Sequence, residues 1–369
     1  MVPFIDLTRY EPGFLEKWYD TVSKMSASAQ FIGGNQIESL EYKLKKICNV
    51  TQVISCANGT DAIQLALRAI GVGSGDEVIV PDLTFWATFE AVVNVGASPI
   101  TVDISLSDGG IDFEAFKQAI KIRKPKAALI AHLYGWGTGY LDEIRQTCEE
   151  NGVLLVEDGA QCLGVTWKNE SIFSDAFIAT TSFYPAKVFG AAGDAGAVFT
   201  SNTELAEKVR SLSNHGRSSH YGYQDVGWNS RMDSLQAAFL NLSYQHLRSR
   251  IKSRKQNSDY YRTHIESTDA PFMSFPDGYE ENGYCNVMVV NDQNLKSDLE
   301  SALQNAEIGF GNIYPSTLSE QACTPRYSQD HFGGRNASKL SQSVLNLPLF
   351  PYMTEAELGE VVLVVNSVL

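Results

Sequence analysis

Short apolar, β-branched runs alternate with longer helix-patterned stretches through the first two-thirds of this 369-residue chain, and that alternation most constrains its fold. The candidate strands are Gln52 to Cys56, Glu77 to Val80, Ser98 to Val102 and Ala127 to Ala131, then Leu154 to Glu157, Ala176 to Thr180 and Gly196 to Thr200. Most are apolar throughout rather than alternating, as in strands covered on both faces by helices. Between them, Asp61 to Ile70, Phe85 to Val95, Phe113 to Ile120 and Leu141 to Asn151 carry helical periodicity. Gly71, Gly96 and Gly152 stand where three of these helices should stop. The β-α-β-α order predicts a three-layer α/β/α domain with a mainly parallel sheet.

The chain is long for one core, so a second domain is expected. Ser234 to His264 reads as one or two helices leaving the large domain, and Pro271, Pro276 and Gly278 mark a boundary zone. Beyond it, Tyr284 to Val290, a helix over Leu295 to Ala306 and the final Glu355 to Val368 suggest a smaller α+β domain. We place the division between residues 1–245 and 246–369.

A formal net charge of −14 argues against nucleic acid or an anionic membrane as partner. The only basic runs are Lys45-Lys46 and the scattered Arg248 to Lys255, the latter read as the polar face of a helix. The start, Met1 to Leu7, lacks the pattern of a secretory signal, and no apolar run has the length of a membrane span. Six scattered cysteines without a C-x-x-C pair read as reduced thiols of a cytoplasmic protein. The six histidines show no metal-binding spacing, so no metal is expected.

In an open parallel sheet, ligands gather at the carboxyl ends of the strands. After the first strand comes Ala57-Asn58-Gly59-Thr60-Asp61, opening a helix. Gly59 allows close backbone approach, and Thr60 can cap the helix while donating to an oxyanion at its N-terminus. An ordinary βα turn with a Thr cap would read the same way. Asp158 follows the strand Leu154 to Glu157, where a buried carboxylate needs a cationic or donor partner, or else caps a helix. The protonated nitrogen of a pyridine ring is such a partner, and Gln161 lies within reach of that ring's phenolic oxygen. Ser182 offers a second hydroxyl for a phosphate, and Pro185 stiffens the loop that presents Lys187. Phe183, Tyr184, Val188 and Phe189 surround that lysine in sequence, which should depress its pKa as imine formation requires. A lone lysine is more often a surface residue; the strand-end Asp158 makes the pair informative. Phe85 or Trp86, after another strand, is a candidate to stack on the ring, or both are core. Gly190 to Gly196 is a glycine-rich turn without the order of a dinucleotide loop. Together these groups fit pyridoxal 5'-phosphate held covalently by Lys187.

With those residues in place, the sequence resembles the DegT/StrS-type sugar aminotransferases, a branch of the fold-type I pyridoxal phosphate enzymes. The resemblance runs nearly end to end. It rests on Pro3 to Leu7, Phe31-Ile32-Gly33-Gly34, Ser55 to Ala62, Glu157 to Gln161 and Ser182 to Lys187. It continues through Asp194-Ala195-Gly196-Ala197, Gly227 to Asp233 and Leu347-Pro348-Leu349. It implies that Gly59, Thr60 and Ser182 hold the phosphate, Phe85 stacks, Asp158 pairs with the ring nitrogen and Gln161 bonds the phenolic oxygen. It also implies a homodimer with shared active sites, Asn229 reaching the phosphate of the other subunit. Arg231, Tyr314 and the loop pair His220 and Tyr221 are candidates for substrate contact. Two positions depart from the family: Ile313 stands before Tyr314 where many members have His, and Phe350 ends the common Leu-Pro-Leu-His. Both changes remove a polar group where sugar specificity is expected.

The resemblance implies a two-step transfer from L-glutamate, leaving 2-oxoglutarate, to a nucleotide-linked keto-sugar through the pyridoxamine form of the cofactor. The stretches Ile54 to Leu67 and Ser182 to Thr200 look most like the branch that aminates C-3. UDP-linked 3-keto-N-acetylglucosamine-type sugars, feeding lipid A or O-antigen assembly, are the first expectation, with C-4 amination as the alternative. Related dehydratases have His at the position of Lys187, so the lysine favours transamination. A non-catalytic regulator on the same fold is the reading of another class.

Overall fold

The computed structural model describes every residue except Gln329. Helices α1 (Phe14–Ser28) and α2 (Asn35–Cys48) precede β1 (Gln52–Cys56), α3 (Gly59–Ala69), β2 (Glu77–Pro81), α4 (Ala87–Asn94) and β3 (Ser98–Val102). The alternation continues through α5 (Phe113–Arg123), β4 (Ala127–Ala131), α6 (Leu141–Asn151) and β5 (Leu154–Asp158). Two short strands, β6 (Thr166–Trp167) and β7 (Glu170–Ser171), come before β8 (Ile178–Ser182), β9 (Gly196–Thr200) and α7 (Thr203–Ser213). The large sheet runs β1-β9-β8-β5-β4-β2-β3, with β9 antiparallel to both neighbours and the other pairs parallel.

Successive residues of the central strands feed opposite cores, which is why those strands read as continuously apolar. Ile79, Ala128 and Ile130 pack into one cluster with Leu40 of α2, Phe116 of α5 and Ile144 of α6. Val78, Val80 and Leu129 pack into the other with Leu65 of α3, Phe89 of α4 and Val209 of α7. Each fully buried Leu, Ile or Phe contributes about 1.5–3 kcal/mol, so both faces of the sheet must stay covered. The three-layer α/β/α expectation holds. Gly71, Gly96 and Gly152 all have positive φ at or just past a helix end, as their positions predicted. The one displaced strand is β8, which starts two residues after the expected Ala176; its register pairs Thr180 with Asp158 and carries Ser182 to the strand tip.

The Ser234–His264 stretch is two helices, α8 (Ser234–Ser243) and α9 (Leu247–His264), joined by a 3-10 turn. The basic run on α9 is not simply a solvated face. Arg250 is buried in a bidentate pair with Glu11, and buried Arg254 donates to the carbonyls of Gly283 and Leu349. Past α9 come β10 (Tyr279–Glu280), β11 (Asn286–Val289), α10 (Gln293–Asn305), β12 (His331–Phe332), α11 (Asn336–Ser343), β13 (Val344–Leu347) and α12 (Glu355–Asn366). β11 and β13 pair antiparallel over a third cluster that includes Leu299, Leu345 and Val361. We propose the division after residue 245 as a description of this smaller unit, although two segments cross it. Val2 lies in the third cluster, and β12 pairs in parallel with β3 at the edge of the large sheet. Among the described residues no helix is long and apolar enough to cross a membrane.

Candidate active site

A cavity of about 880 Å³ opens at the carboxyl ends of β1, β5 and β8, walled on its far side by Asn312, Ile313 and Tyr314. At the end of β1 the helix cap is Asn58, not Thr60: the Asn58 side chain accepts the Asp61 N–H at 2.8 Å. Gly59 and Thr60 therefore form the first turn of α3, where N–H groups have no helical partner and the helix dipole favours an anion. A side chain on Gly59 would put its Cβ 2.7 Å from the Ser182 Cβ. Only glycine lets this helix start abut the tip of β8, so the Ser182 hydroxyl and the α3 N-terminus share one corner of the cavity. That corner brings together donors suited to an oxyanion.

Asp158 closes β5 and is buried. One carboxylate oxygen accepts the Ala160 N–H at 3.0 Å; the other has only a long 3.4 Å contact from the Thr88 hydroxyl. Burial pushes the Asp158 pKa up, opposed by the Ala160 N–H and by the nearby Lys187 amine. A carboxylate so placed, with accepting capacity unspent, suits a ring cation. Behind it, Glu157 is fully buried between His132, at 3.0 Å, and Arg145, which binds it in bidentate fashion at 2.8 and 3.0 Å. Despite burial, those partners hold the Glu157 carboxyl below the usual range.

Gln161 has a fixed orientation. Its carbonyl oxygen accepts the Tyr134 backbone N–H, and its amide nitrogen donates to the Tyr314 hydroxyl at 2.7 Å. A backbone N–H can only donate, so the NH2 end must face the cavity, leaving one N–H for a ligand. Tyr314 accepts from Gln161 and so keeps its own proton free to donate.

The Lys187 amine lies 3.3 Å from the Tyr284 hydroxyl and 5.0 Å from that ring's centroid. Burial lowers its pKa, partly opposed by the negative charge of Asp158. Of the residues that surround it in sequence, Tyr184 lines the cavity with it, whereas Phe183, Val188 and Phe189 belong to the buried core. Tyr284 adds a further aromatic group at the amine. No local signal pointed to it, because it comes from the segment leading into β11. Of the two stacking candidates, Phe85 stands exposed at the cavity, 6.4 Å from Tyr314, whereas Trp86 stacks on Phe89 in the core.

The structure of one chain does not bring every expected residue to this cavity. Asn229 is exposed, accepts from Arg231 at 2.5 Å and bridges to Asn214. His220 and Tyr221 pack edge to face in a neighbouring exposed loop. None of these four residues lines the cavity. Of the two departures from the family pattern, Ile313 does line it, whereas Phe350 is buried in the C-terminal core beneath Arg9. Phe350 therefore replaces a polar group away from the cavity wall, contrary to the expectation for it.

The fit to pyridoxal phosphate is thus specific: an anion corner, an unspent buried carboxylate, an oriented amide, an exposed ring and a pKa-depressed lysine surround one space. Comparison with known proteins agrees. The model of the DegT/DnrJ/EryC1/StrS aminotransferase family matches residues 15–366. The chain is 33% identical to the UDP-N-acetyl-3-dehydro-alpha-D-glucosamine 3-aminotransferase of Acidithiobacillus ferrooxidans, covering 100% of this chain and 98% of that protein. It is 30% identical to the dTDP-3-amino-3,6-dideoxy-alpha-D-galactopyranose transaminase of Aneurinibacillus thermoaerophilus, covering 99% of each. The crystal structure of S. venezuelae DesV in complex with a ketimine intermediate superposes with a TM-score of 0.93 at 28% identity, covering 99% of this chain and 98% of that one.

Proposed function

The chain belongs to the DegT/DnrJ/EryC1/StrS aminotransferase family and is a pyridoxal-phosphate-dependent sugar aminotransferase, and from that premise we propose that it transfers the amino group of L-glutamate to C-3 of a UDP-linked 3-keto-N-acetylglucosamine-type sugar. The observation that carries the chemistry is the pairing, within one cavity, of an amine-lowered Lys187 with an underused buried Asp158. The choice of C-3 is supported by the two relatives, whose names share that position and differ in the nucleotide.

When bound, pyridoxal phosphate supplies an electron-accepting ring for making and breaking bonds at the amino-bearing carbon. Lys187 holds it through Nζ and, once released, moves a proton at that carbon. Burial of the amine lowers its pKa and so favours its unprotonated, proton-accepting form. Asp158 holds the ring nitrogen in its cationic form. Gly59, Thr60 and Ser182 bind the phosphate, Phe85 covers the ring, and the spare N–H of Gln161 donates to the phenolic oxygen. Tyr314 donates its free O–H to the substrate.

Among the described residues, Lys187 is the only lysine or arginine on the cavity wall, which also carries His132, Asp61, Glu90, Asp158 and Asp194. A phosphate, a glutamate carboxylate and a nucleotide diphosphate need more positive charge and donors than that. We propose that a second copy of the chain supplies them in a homodimer: Asn229 to the phosphate, and Arg231 with His220 and Tyr221 to substrate. The protein is proposed to act in the cytoplasm, upstream of lipid A or O-antigen assembly. The test is a panel of keto-sugar nucleotides with glutamate, scored for 2-oxoglutarate and amino-sugar. Amination of a UDP-linked 3-keto sugar supports the proposal; transfer only to a dTDP-linked 3-keto sugar, or only to a 4-keto sugar, overturns it.

A further inference from the structure

We infer that Tyr284 is a catalytic residue of this site, its hydroxyl holding the Lys187 amine in place whenever that nitrogen carries a proton. This rests on the reading that Lys187 bears the cofactor. Tyr284 comes from outside the strand-end set, yet its backbone is fastened to that set. Its N–H donates to the Asn282 side chain at 3.1 Å. Asn282, fully buried, donates to the carbonyls of Gln161 at 2.8 Å and Leu163 at 3.0 Å. The next residue, Cys285, donates its N–H to the Tyr134 carbonyl at 3.3 Å. Gly135 allows this approach: a Cβ there would meet the Asn282 side-chain Oδ1 at 2.5 Å and the Tyr284 Cβ at 3.1 Å. Tyr284 is thus tied to the segments that carry Gln161 and Tyr134.

The contact suits a nitrogen that gains and loses a proton. Burial pushes the phenol's pKa up, so Tyr284 stays neutral and presents an oxygen that accepts from Nζ. Its ring face, 5.0 Å from Nζ, adds a cation–π attraction for the same protonated state. The other titratable groups acting on Nζ are Asp158 of β5, Cys162, Cys285 and Tyr184. Among the described residues, Tyr284 is the group whose hydroxyl bonds the amine itself. It opposes the burial that lowers the lysine's pKa without adding a second buried charge next to Asp158.

Tyr284→Phe keeps the ring and removes only the oxygen. In the cofactor-loaded protein, the pH midpoint of the visible spectral transition should fall by at least about half a unit, because the protonated nitrogen loses its acceptor. The rate of amino transfer from glutamate in a single turnover should fall about tenfold or more, since a misplaced proton carrier is costly. A residue that merely packs would move neither, because the ring remains. If either the midpoint or the single-turnover rate stays at its wild-type value, the inference is wrong. Wild-type protein with no visible band would instead sink the underlying reading of Lys187, so the two failures are distinct.

Discussion

The two walls of the cavity are made differently. The inner wall consists of strand and helix ends: Gly59 and Thr60 after β1, Phe85 in the loop after β2, Asp158 at the end of β5, Gln161 after it, and Ser182 at the tip of β8. The outer wall is an excursion from elsewhere in the chain, Asn312 to Tyr314. Sheet register places the inner wall, since the β5–β8 pairing sets Asp158 beside Thr180 two residues before Ser182. Buried carboxylates tether the outer wall. Asp82 accepts from the backbone and hydroxyl of Ser319, each at 2.7 Å, and Asp103 accepts the N–H groups of Gly334, Asn336 and Ala337. Tyr134 donates to the Ile313 carbonyl at 3.0 Å. On the proposed function, the wall that serves the shared chemistry is built into the sheet, and the wall proposed to meet the sugar is strapped on.

Substitutions on the inner wall should damage chemistry, and those on the outer wall should damage acceptor choice. The largest effect is expected for Asp158→Asn, with single-turnover transfer from glutamate falling about 10²- to 10³-fold, the scale of losing one preorganised electrostatic contact. The same substitution should raise the melting temperature of cofactor-free protein at neutral pH. Because burial raises the Asp158 pKa, its folded-state penalty is absent below the unfolded value of 3.8 and grows as pH rises through the folded one. Melts at pH 3.5 and pH 7.5 check this; equal gains at both would contradict it.

Glu157→Gln is the next largest, leaving Arg145 and His132 without their shared charge. Urea unfolding should show a loss of about 3 kcal/mol at pH 7. The sign with pH is opposite to that of Asp158. The Glu157 pKa is lowered from 4.5, so its contribution is present above that value and disappears as pH falls through the folded pKa. Acceptor preference should not change.

On the outer wall, Ser319→Ala removes a donor to a buried carboxylate, worth about 2 kcal/mol. The KM for the sugar should rise while the single-turnover rate with glutamate stays within twofold. An equal fall in both half-reactions would erase the distinction between the walls. Tyr314→Phe is the smallest, about 1 kcal/mol, read as a several-fold lower kcat/KM for the sugar.

The same distinction explains what was legible in the sequence. Strands buried on both faces leave apolar runs, and residues after each run gather at one end of the sheet, so the placement of Thr60, Asp158, Ser182 and Lys187 at the cavity could be read directly. The two-residue shift of β8 was not legible, because register depends on partner strands, whereas the Asn58 cap is a local bond to the Asp61 N–H that the sequence offered beside Thr60. His132, directly after β4, lines the cavity at such a strand-end position and was passed over. Tyr284 was missed for a different reason: it reaches the cavity from a segment distant in sequence, and a tyrosine beside an amine has no pattern of its own. The buried arginines of α9 escaped for the same cause: their partner Glu11 and the carbonyls of Gly283 and Leu349 lie in other segments.

The central claim is that Lys187 is the attachment point of the cofactor, and borohydride reduction of the loaded protein followed by peptide mass spectrometry tests it most directly. The wild-type protein should show a visible band that reduction abolishes, with the added mass on the peptide containing Lys187, and Lys187→Ala should show neither band nor added mass. A wild-type protein without the band, or the added mass on a different lysine, would contradict it.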